Sequence, residues 1–351
     1  MRSFLIYGAN GYTGQLIARE SVRRGLRPIV AGRNQPAIQE LAQELGLDSR
    51  SFRLDGPEPL SALEGITAVL NCAGPFSRTA APLAETCLRT GSHYVDITGE
   101  VAVFEALMGR NQEAQAAGVM LLPGAGFDVV PSDCLAAHLK RRLPTASKLV
   151  LAFQSGTRPS RGTLLTMLES LDRQGLVRKN GELVQVPAGW KTRAIVFEDR
   201  PRTAVTIPWG DLATAYFSTG IPDIEVYAAL PFRERLVVCA TRYLGPVLRR
   251  GFVRQSLERR IRAARPGPSE AERARSTSYL WGEVSDEAGN RAIARLRGPD
   301  GYSLTVQAAL AVIERILAGD APSGYQTPST AYGPDFVLQL PGVTRSDQSG
   351  P

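Results

Sequence analysis

Histidine and cysteine are scarce in this chain, with two and four copies among 351 residues. Cys72, Cys87, Cys134 and Cys239 are scattered, with neither the paired spacing of a zinc site nor the density of a disulfide framework. His93 falls in a strand pattern and His138 in mid-helix, so no metal centre is expected. No Ser/His/Asp arrangement is readable, which leaves hydrolase chemistry without support. No apolar run approaches the ~20 residues that a membrane-spanning helix needs. Aromatic residues make up 7%, and no recognised motif interleaves them with the basic ones, which argues against nucleic acid as a partner. A strand pattern begins at once, with no leader expected before it. A reducing cytoplasm is therefore the expected compartment, with peripheral membrane attachment the alternative.

What is present is ordinary globular composition, 43% apolar and 21% charged, over a length that suits two domains. The net charge of +7 is unevenly spread. Arginines crowd residues 242–275, where Val247, Phe252, Val253, Leu257 and Ile261 could share one helical face. Such a helix is either a solvated arginine face over a core-facing stripe or a dock for an acidic carrier protein or an anionic membrane surface.

Short apolar strands alternate with helical patterns up to about residue 130. Strands are expected at Arg2–Tyr7, Pro28–Ala31, Ser51–Leu54, Ala68–Asn71, His93–Ile97 and Val119–Leu122. Helices are expected over Gly11–Gly25, Pro36–Leu45, Thr79–Gly91 and Val101–Ala117. This alternation predicts an α/β fold, a doubly wound parallel sheet with helices on both faces. Beyond it, Lys148–Phe153, Arg193–Phe197, Thr203–Ile207, Ala213–Phe217 and Asp223–Leu230 read as strands, and Tyr279–Val284 with Arg291–Arg297 as a hairpin. They predict a second, α+β domain with a mixed sheet. The expected division is 1–130, 131–300, and a C-terminal helix and tail, 301–351, packing back on the first domain.

The most informative stretch is Phe4–Gly14, where an apolar strand ends in Gly8-Ala-Asn-Gly-Tyr-Thr-Gly14 and a helix follows. Free N–H groups at the positive end of a helix dipole form a cradle for a dinucleotide pyrophosphate. Glycines permit the turn and the close approaches, since a Cβ would block each. Gly8, Asn10, Gly11, Tyr12, Thr13 and Gly14 are thus candidate cofactor residues. After the second strand stand Gly32-Arg33-Asn34, where enzymes preferring NAD place an acid for the ribose 2′-hydroxyl. A guanidinium pairs instead with a 2′-phosphate, so Arg33 and Asn34 favour NADP(H). Asp55 is either an acceptor for the adenine amino group or a plain turn residue. Cys72, Ala73, Gly74 and Pro75 close the fourth strand and are further cofactor candidates, either small residues that admit the ribose and pyrophosphate or a simple Gly-Pro turn.

Hydride transfer needs no nucleophile, only a positioned acceptor and a proton donor. Tyr94 and Asp128 are the candidate catalytic donors, Asp128 only if burial raises its pKa. Asp96 shares a strand face with Tyr94, and Phe127 could reach the nicotinamide edge. Ser160-Arg-Gly-Thr163 opens a helix and is either an anion or carbonyl site or an ordinary cap.

In these motifs the chain resembles the saccharopine dehydrogenase-like family of NADP-binding oxidoreductases, and within it the branch of trans-acting enoyl reductases. The carrying residues are Gly8–Gly14, Ala31-Gly-Arg-Asn34, Asn71-Cys-Ala-Gly-Pro-Phe76, His93-Tyr-Val-Asp-Ile-Thr-Gly-Glu100, Gly126-Phe-Asp-Val-Val-Pro-Ser-Asp133 and Ser160–Thr163. Gly267-Pro-Ser-Glu270 and Gly301-Tyr-Ser-Leu-Thr305 fit as well. The resemblance implies a Rossmann domain binding NADP(H), a second domain for substrate and contacts, and a C-terminal helix returning to the first. It implies reduction of a C=C bond in a lipid or polyketide chain, with Phe76, Asp96, Phe127, Ser160, Arg161 and Thr163 as candidate substrate residues. An amino-acid or imine substrate, a non-catalytic NADP(H) sensor and a homodimer stay open. No dedicated arginine pair for amino-acid carboxylates is readable.

Overall fold

The computed structural model describes residues 3–56, 58–170, 174–198, 201–232, 234–236, 238–240 and 251–348. It divides into two compact units, Met1–Val130 with Tyr302–Ala331, and Pro131–Gly301 with Tyr332–Pro351.

The first unit opens with β1 (Phe4–Tyr7), α1 (Tyr12–Arg23), β2 (Ile29–Gly32), α2 (Gln35–Leu45), β3 (Ser49–Ser51) and α3 (Glu58–Ala62). It continues through β4 (Ala68–Asn71), α4 (Phe76–Thr90), β5 (His93–Asp96), α5 (Val101–Met108), α6 (Asn111–Ala116) and β6 (Met120–Leu122). All strands pair in parallel, in the order β3-β2-β1-β4-β5-β6. That is the doubly wound order, and it reverses between β1 and β4. β1, β4 and β6 are buried along their whole length because helices cover both faces. The single helix expected over Val101–Ala117 is two, interrupted at Gly109-Arg110. Glycine is a poor helix former, and the break lets both Leu107 and Ala114 bury.

The second unit begins with α7 (Val130–Arg142), β7 (Lys148–Gln154) and α8 (Arg161–Ser170), then β8 (Gly175–Lys179), β9 (Glu182–Val186), β10 (Thr192–Val196) and β11 (Pro201–Thr206). α9 (Asp211–Thr219), β12 (Asp223–Ala229), α10 (Gly251–Ala263), α11 (Glu270–Ala274), β13 (Thr277–Ser285) and β14 (Arg291–Pro299) follow. The sheet runs β10-β11-β12-β7-β13-β14, parallel only between β7 and β12. Two expectations fail here. Ala213–Phe217 is helix, not strand: Leu212 to Ala215 are all buried, and Gly220 ends the helix in the left-handed region at φ 67°. The buried run Asp211–Ala215 and the Gly220 stop outweigh the β-propensity of Tyr216 and Phe217. The β8–β9 hairpin is absent from the expected strands, although Asn180 (φ 50°) and Gly181 (φ 83°) form the Asn-Gly turn that signals one.

Finally α12 (Gly301–Ala318) and β15 (Gly324–Tyr325) return to the first unit, where β15 extends the parallel sheet beside β6. α13 (Pro328–Tyr332) precedes β16 (Thr344–Gln348). The tail departs from the expected packing on the first domain. Residues from Tyr332 on cluster with the second unit, because β16 adds an antiparallel edge to β14. In the basic segment, Arg242 to Arg250 and Val247 lie outside the described residues. Along α10 the half-buried stripe is Val253, Leu257 and Ile261, while Phe252 sits one position off it and is 68% exposed.

Among the described residues, no helix is long and apolar enough to cross a membrane, and no cluster of three potential metal ligands occurs.

Candidate functional site

The carboxyl ends of β1, β2, β4, β5 and β6 form one rim of the first unit. At its centre, where strand order reverses, the chain leaves β1 through Gly8 at φ 79°. A Cβ on Gly8 would stand 2.8 Å from the Ala73 nitrogen, so this turn packs directly against the β4 exit. Gly8 and Ala9 both donate to the Ala31 carbonyl of β2, at 2.8 and 3.1 Å. A Cβ on Gly14 would lie 2.8 Å from Ala9 Cα and meet the Gly8 carbonyl oxygen as well. Thus α1 starts pressed against the turn. Its N-cap, Gly11, supplies no capping side chain, and its first turn holds no acid. No side chain caps the opening N–H groups, and such a helix start fits a pyrophosphate.

Arg33 is exposed just past β2 and has no ion-pair partner among the described residues. Asn34 caps α2, accepting the Ala37 N–H at 3.4 Å. Asp55 is exposed and held by Arg53 through two hydrogen bonds, 3.0 and 2.8 Å, which keep its carboxyl below the usual range. It is therefore engaged by a neighbour absent from the expected site. Burial raises the Tyr7 phenol, while the charges of Arg33 and Arg53 pull the other way. Both guanidinium charges thus act on Tyr7, the last residue of β1. Charge reversal, Arg33→Glu, is expected to weaken NADPH about tenfold to a hundredfold and NADH far less, as loss of a charge-assisted hydrogen bond of ~1.5–3 kcal/mol requires. Fluorescence titration with the two nucleotides reads this directly.

The four residues leaving β4 stand in different settings. Ala73 meets the Gly8 turn. Gly74 is exposed, and its peptide bond to Pro75 is cis. Lacking a side chain, Gly74 offers a ligand its backbone alone. Pro75 is the N-cap of α4 and makes no side-chain capping bond. Cys72 is held as a thiol by burial and by the nearby Asp96 charge, which removes it as a nucleophile. Phe76 turns out to be core, 8% exposed, with its N–H donating to Glu100 at 2.8 Å. Glu100 also takes the Ser77 N–H at 3.1 Å, so its carboxylate occupies the α4 N-terminus. The small residues at 73 and 74 therefore clear space beside the turn, while the anion-binding end of α4 is already filled.

The next stretch of rim is locked by a buried hydrogen-bond chain. Asn71, at the end of β4, donates to the Thr79 hydroxyl at 3.1 Å and the Tyr94 hydroxyl at 3.2 Å, and accepts from the Ala73 N–H at 3.0 Å. Tyr94 donates to Asp96 at 2.8 Å. Asp96 also accepts the N–H groups of Thr98 and Gly124, each at 2.9 Å. Burial pushes the Asp96 carboxyl up to about 6, although these bonds favour its charged form. Two candidate assignments change in consequence. Tyr94 and Asp96 are both 0% exposed, so neither presents a face to a substrate. They tie three strand exits together. Sequence alternation correctly put them on one face, but in a doubly covered sheet that face is core.

Truncation, Asp96→Ala, would strand three buried donors, each costing about 1–3 kcal/mol, so a loss above ~3 kcal/mol is expected in denaturant unfolding. Asp96→Asn should cost clearly less, because its amide oxygen still accepts both backbone N–H groups.

Asp128 differs from these. It remains partly exposed, and its carboxyl lies over Gly99, where a Cβ would come 2.8 Å from Oδ2. Burial pushes that carboxyl up to about 7. Its neighbour Phe127, also partly exposed, donates its N–H to Thr305 on α12 at 3.0 Å. Tyr302, one turn earlier, meets Tyr12 edge-on at the start of α1, with ring centres 5.1 Å apart. The rim therefore brings together the glycine turn, Arg33, Ala73 and Gly74 after β4, Phe127 and Asp128. Ser160, Arg161 and Thr163 belong to the second unit, where Ser160 Oγ caps α8 by accepting the Thr163 N–H at 3.2 Å. Arg161 donates to the Arg262 carbonyl at 3.2 Å.

Strand order, reversal point and uncapped glycine turn define a dinucleotide-binding unit of the Rossmann type, followed in the chain by a mixed-sheet second unit. Residues 4–122 match the family model described as the saccharopine dehydrogenase NADP binding domain. The match takes in about a third of the chain, and it supports NADP(H) as the cofactor of this unit. Among curated proteins it is similar to a trans-acting enoyl reductase of Mycobacterium leprae, 32% identical over 148 residues, covering 40% of this chain and 35% of that protein. It is also similar to a saccharopine dehydrogenase-like oxidoreductase of Bos taurus, 28% identical over 176 residues, 43% of this chain and 41% of that one. The matches thus take in little more than a third of those relatives. Apo saccharopine dehydrogenase (L-Glu forming) from Saccharomyces cerevisiae shares the fold over 99% of this chain and all of its own, with a TM-score of 0.67 at 12% identity.

Proposed function

We propose that the protein is an NADPH-dependent reductase acting on the C=C bond of an enoyl substrate, a lipid or polyketide chain. The observation that carries this reading is Asp128, a partly open carboxyl near neutral pKa on the rim that holds the dinucleotide turn. The similarity to trans-acting enoyl reductases supports the acceptor class.

When bound, NADPH supplies a hydride to the β-carbon of an electron-poor double bond. The N–H groups that open α1 would hold the pyrophosphate, and Arg33 with Arg53 would receive the 2′-phosphate. Gly8, Ala73 and Gly74 keep the crevice open to the cofactor. Asp128, about half protonated near pH 7 and fully so well below it, delivers a proton to the α-carbon that accumulates charge, and the product is the saturated acyl chain. One hydride and one proton are consumed per bond reduced. Asp128 is then reprotonated from solvent, which its partial exposure allows.

The test is NADPH consumption, followed by absorbance, with a panel of 2-enoyl thioesters and of imines formed from 2-oxo acids and amines. Turnover with the thioesters alone supports the proposal. Turnover with the imines alone replaces it by an amino-acid-type oxidoreductase. Tight NADPH binding with no consumption by either class makes the protein a sensor.

A further inference from the structure

β7 ends at Gln154, paired with Tyr279 of antiparallel β13, and the chain leaves its carboxyl end through Gly156 and Arg158. A cavity of about 630 Å³ opens here, wholly within the second unit, lined by those two residues and by Glu272, Arg275, Ser276 and Tyr279. Its volume falls in the range of small-molecule sites.

Its charges are unequal in kind. Glu272 is already committed: it accepts the Ser269 N–H at 2.6 Å in a capping box and lies 3.5 Å from Arg158 Nε. The capping bonds, then the cations Arg158 and Arg265, hold its carboxyl below the usual range, so it stays ionised. Arg158 is oriented by donating to the Gly267 carbonyl at 2.5 Å. Arg275 has no ion-pair partner among the described residues. Ser276 Oγ is shut off from solvent and has no hydrogen-bond partner among them either. An orphaned buried hydroxyl costs about 1–3 kcal/mol unless something supplies its bond. A Cβ on Gly156 would stand 2.5 Å from that oxygen, so only glycine fits against it.

We propose that this cavity binds a singly charged oxyanion of a small molecule, a carboxylate or a phosphodiester. Arg275 supplies the uncommitted guanidinium fork, Arg158 a pre-oriented second cation, and Ser276 a hydroxyl donor. Among the lining residues, two arginines against one glutamate leave a single positive charge, which balances a monoanion; a phosphate dianion would carry its second charge against Glu272. The site needs no hydride transfer, so it stands or falls apart from the reductase reading.

Calorimetric titration of the full chain with octanoate, dibutyl phosphate and neutral octanamide tests it. Octanoate or dibutyl phosphate is expected to bind at least tenfold more tightly than octanamide. Arg275→Gln should weaken that anion at least tenfold, Arg275→Lys less, and Ser276→Ala severalfold, with NADPH affinity unchanged in all three. Preference for octanoate assigns a carboxylate and preference for dibutyl phosphate a phosphodiester. Equal binding of octanamide, no binding of either anion, or undiminished anion affinity in both Arg275→Gln and Ser276→Ala overturns the proposal.

Discussion

Gly14→Ala is expected to weaken NADPH binding at least a hundredfold. The new Cβ would sit 2.8 Å from Ala9 Cα and 3.0 Å from the Ala9 carbonyl oxygen, both backbone atoms of the turn. Neither can yield as a flexible side chain does, so α1 must withdraw from the turn. Its opening N–H groups then lose their alignment on the pyrophosphate. Two misdirected charge-assisted hydrogen bonds, at ~1.5–3 kcal/mol each, account for a loss of this size. Overpacking itself adds about 1–3 kcal/mol of destabilisation, visible as a lowered Tm. Gly25→Ala is the control. Gly25 has φ 76° but open space around its Cβ position, so stability should fall slightly while NADPH affinity stays put.

Asp128→Asn should lower kcat for enoyl reduction by about 10² to 10⁴ with KM for NADPH unchanged, the range seen when a positioned proton donor is lost. In the wild type, kcat should be flat on the acid side and fall as pH rises through about 7, where the carboxyl ionises. The same group ties activity to stability. Its folded pKa is raised above the unfolded value of about 3.9, so its stabilising protonated form is complete below that value and lost as pH rises through the folded one. Asp128→Asn should therefore match the wild type in Tm near pH 4 and exceed it by a growing margin towards pH 8. A catalytic acid held at the cost of stability gives both signatures, whereas a merely structural aspartate would leave the kcat profile unmoved.

The Rossmann half was legible because its signals are local. The apolar run of β1, the glycines at 8, 11 and 14, and the regular alternation up to Leu122 each report on a few residues, and they agree. Asn180-Gly181 is as local a signal as any, yet it stands outside the expected strands and turns. Tyr94 and Asp96 show the limit of such reading. Alternation assigns a side chain to a face, but only the packed helices decide whether that face is rim or core. The Asn71–Tyr94–Asp96 chain joins strands 23 residues apart, and no spacing rule encodes it. Residues 72–75 make the same point within four positions: their small size was plain, but which of them meets the Gly8 turn and which opens to solvent depends on the neighbouring strand exit. Arg158 and Arg275 are a sharper case. They are 117 positions apart, and only the pairing of β7 with β13 brings their loops to one cavity. The tail failed for the same reason: Thr344–Gln348 is a polar edge strand whose partner β14 no periodicity reveals.

The most direct measurement follows the hydride itself. With NADPH deuterated at nicotinamide C4 and a 2-enoyl thioester, mass spectrometry of the product should show one deuterium at the β-carbon and one solvent proton at the α-carbon. The solvent-derived proton should arrive markedly more slowly in Asp128→Asn. Unlabelled product, or intact enoyl thioester beside fully bound NADPH, would contradict the account.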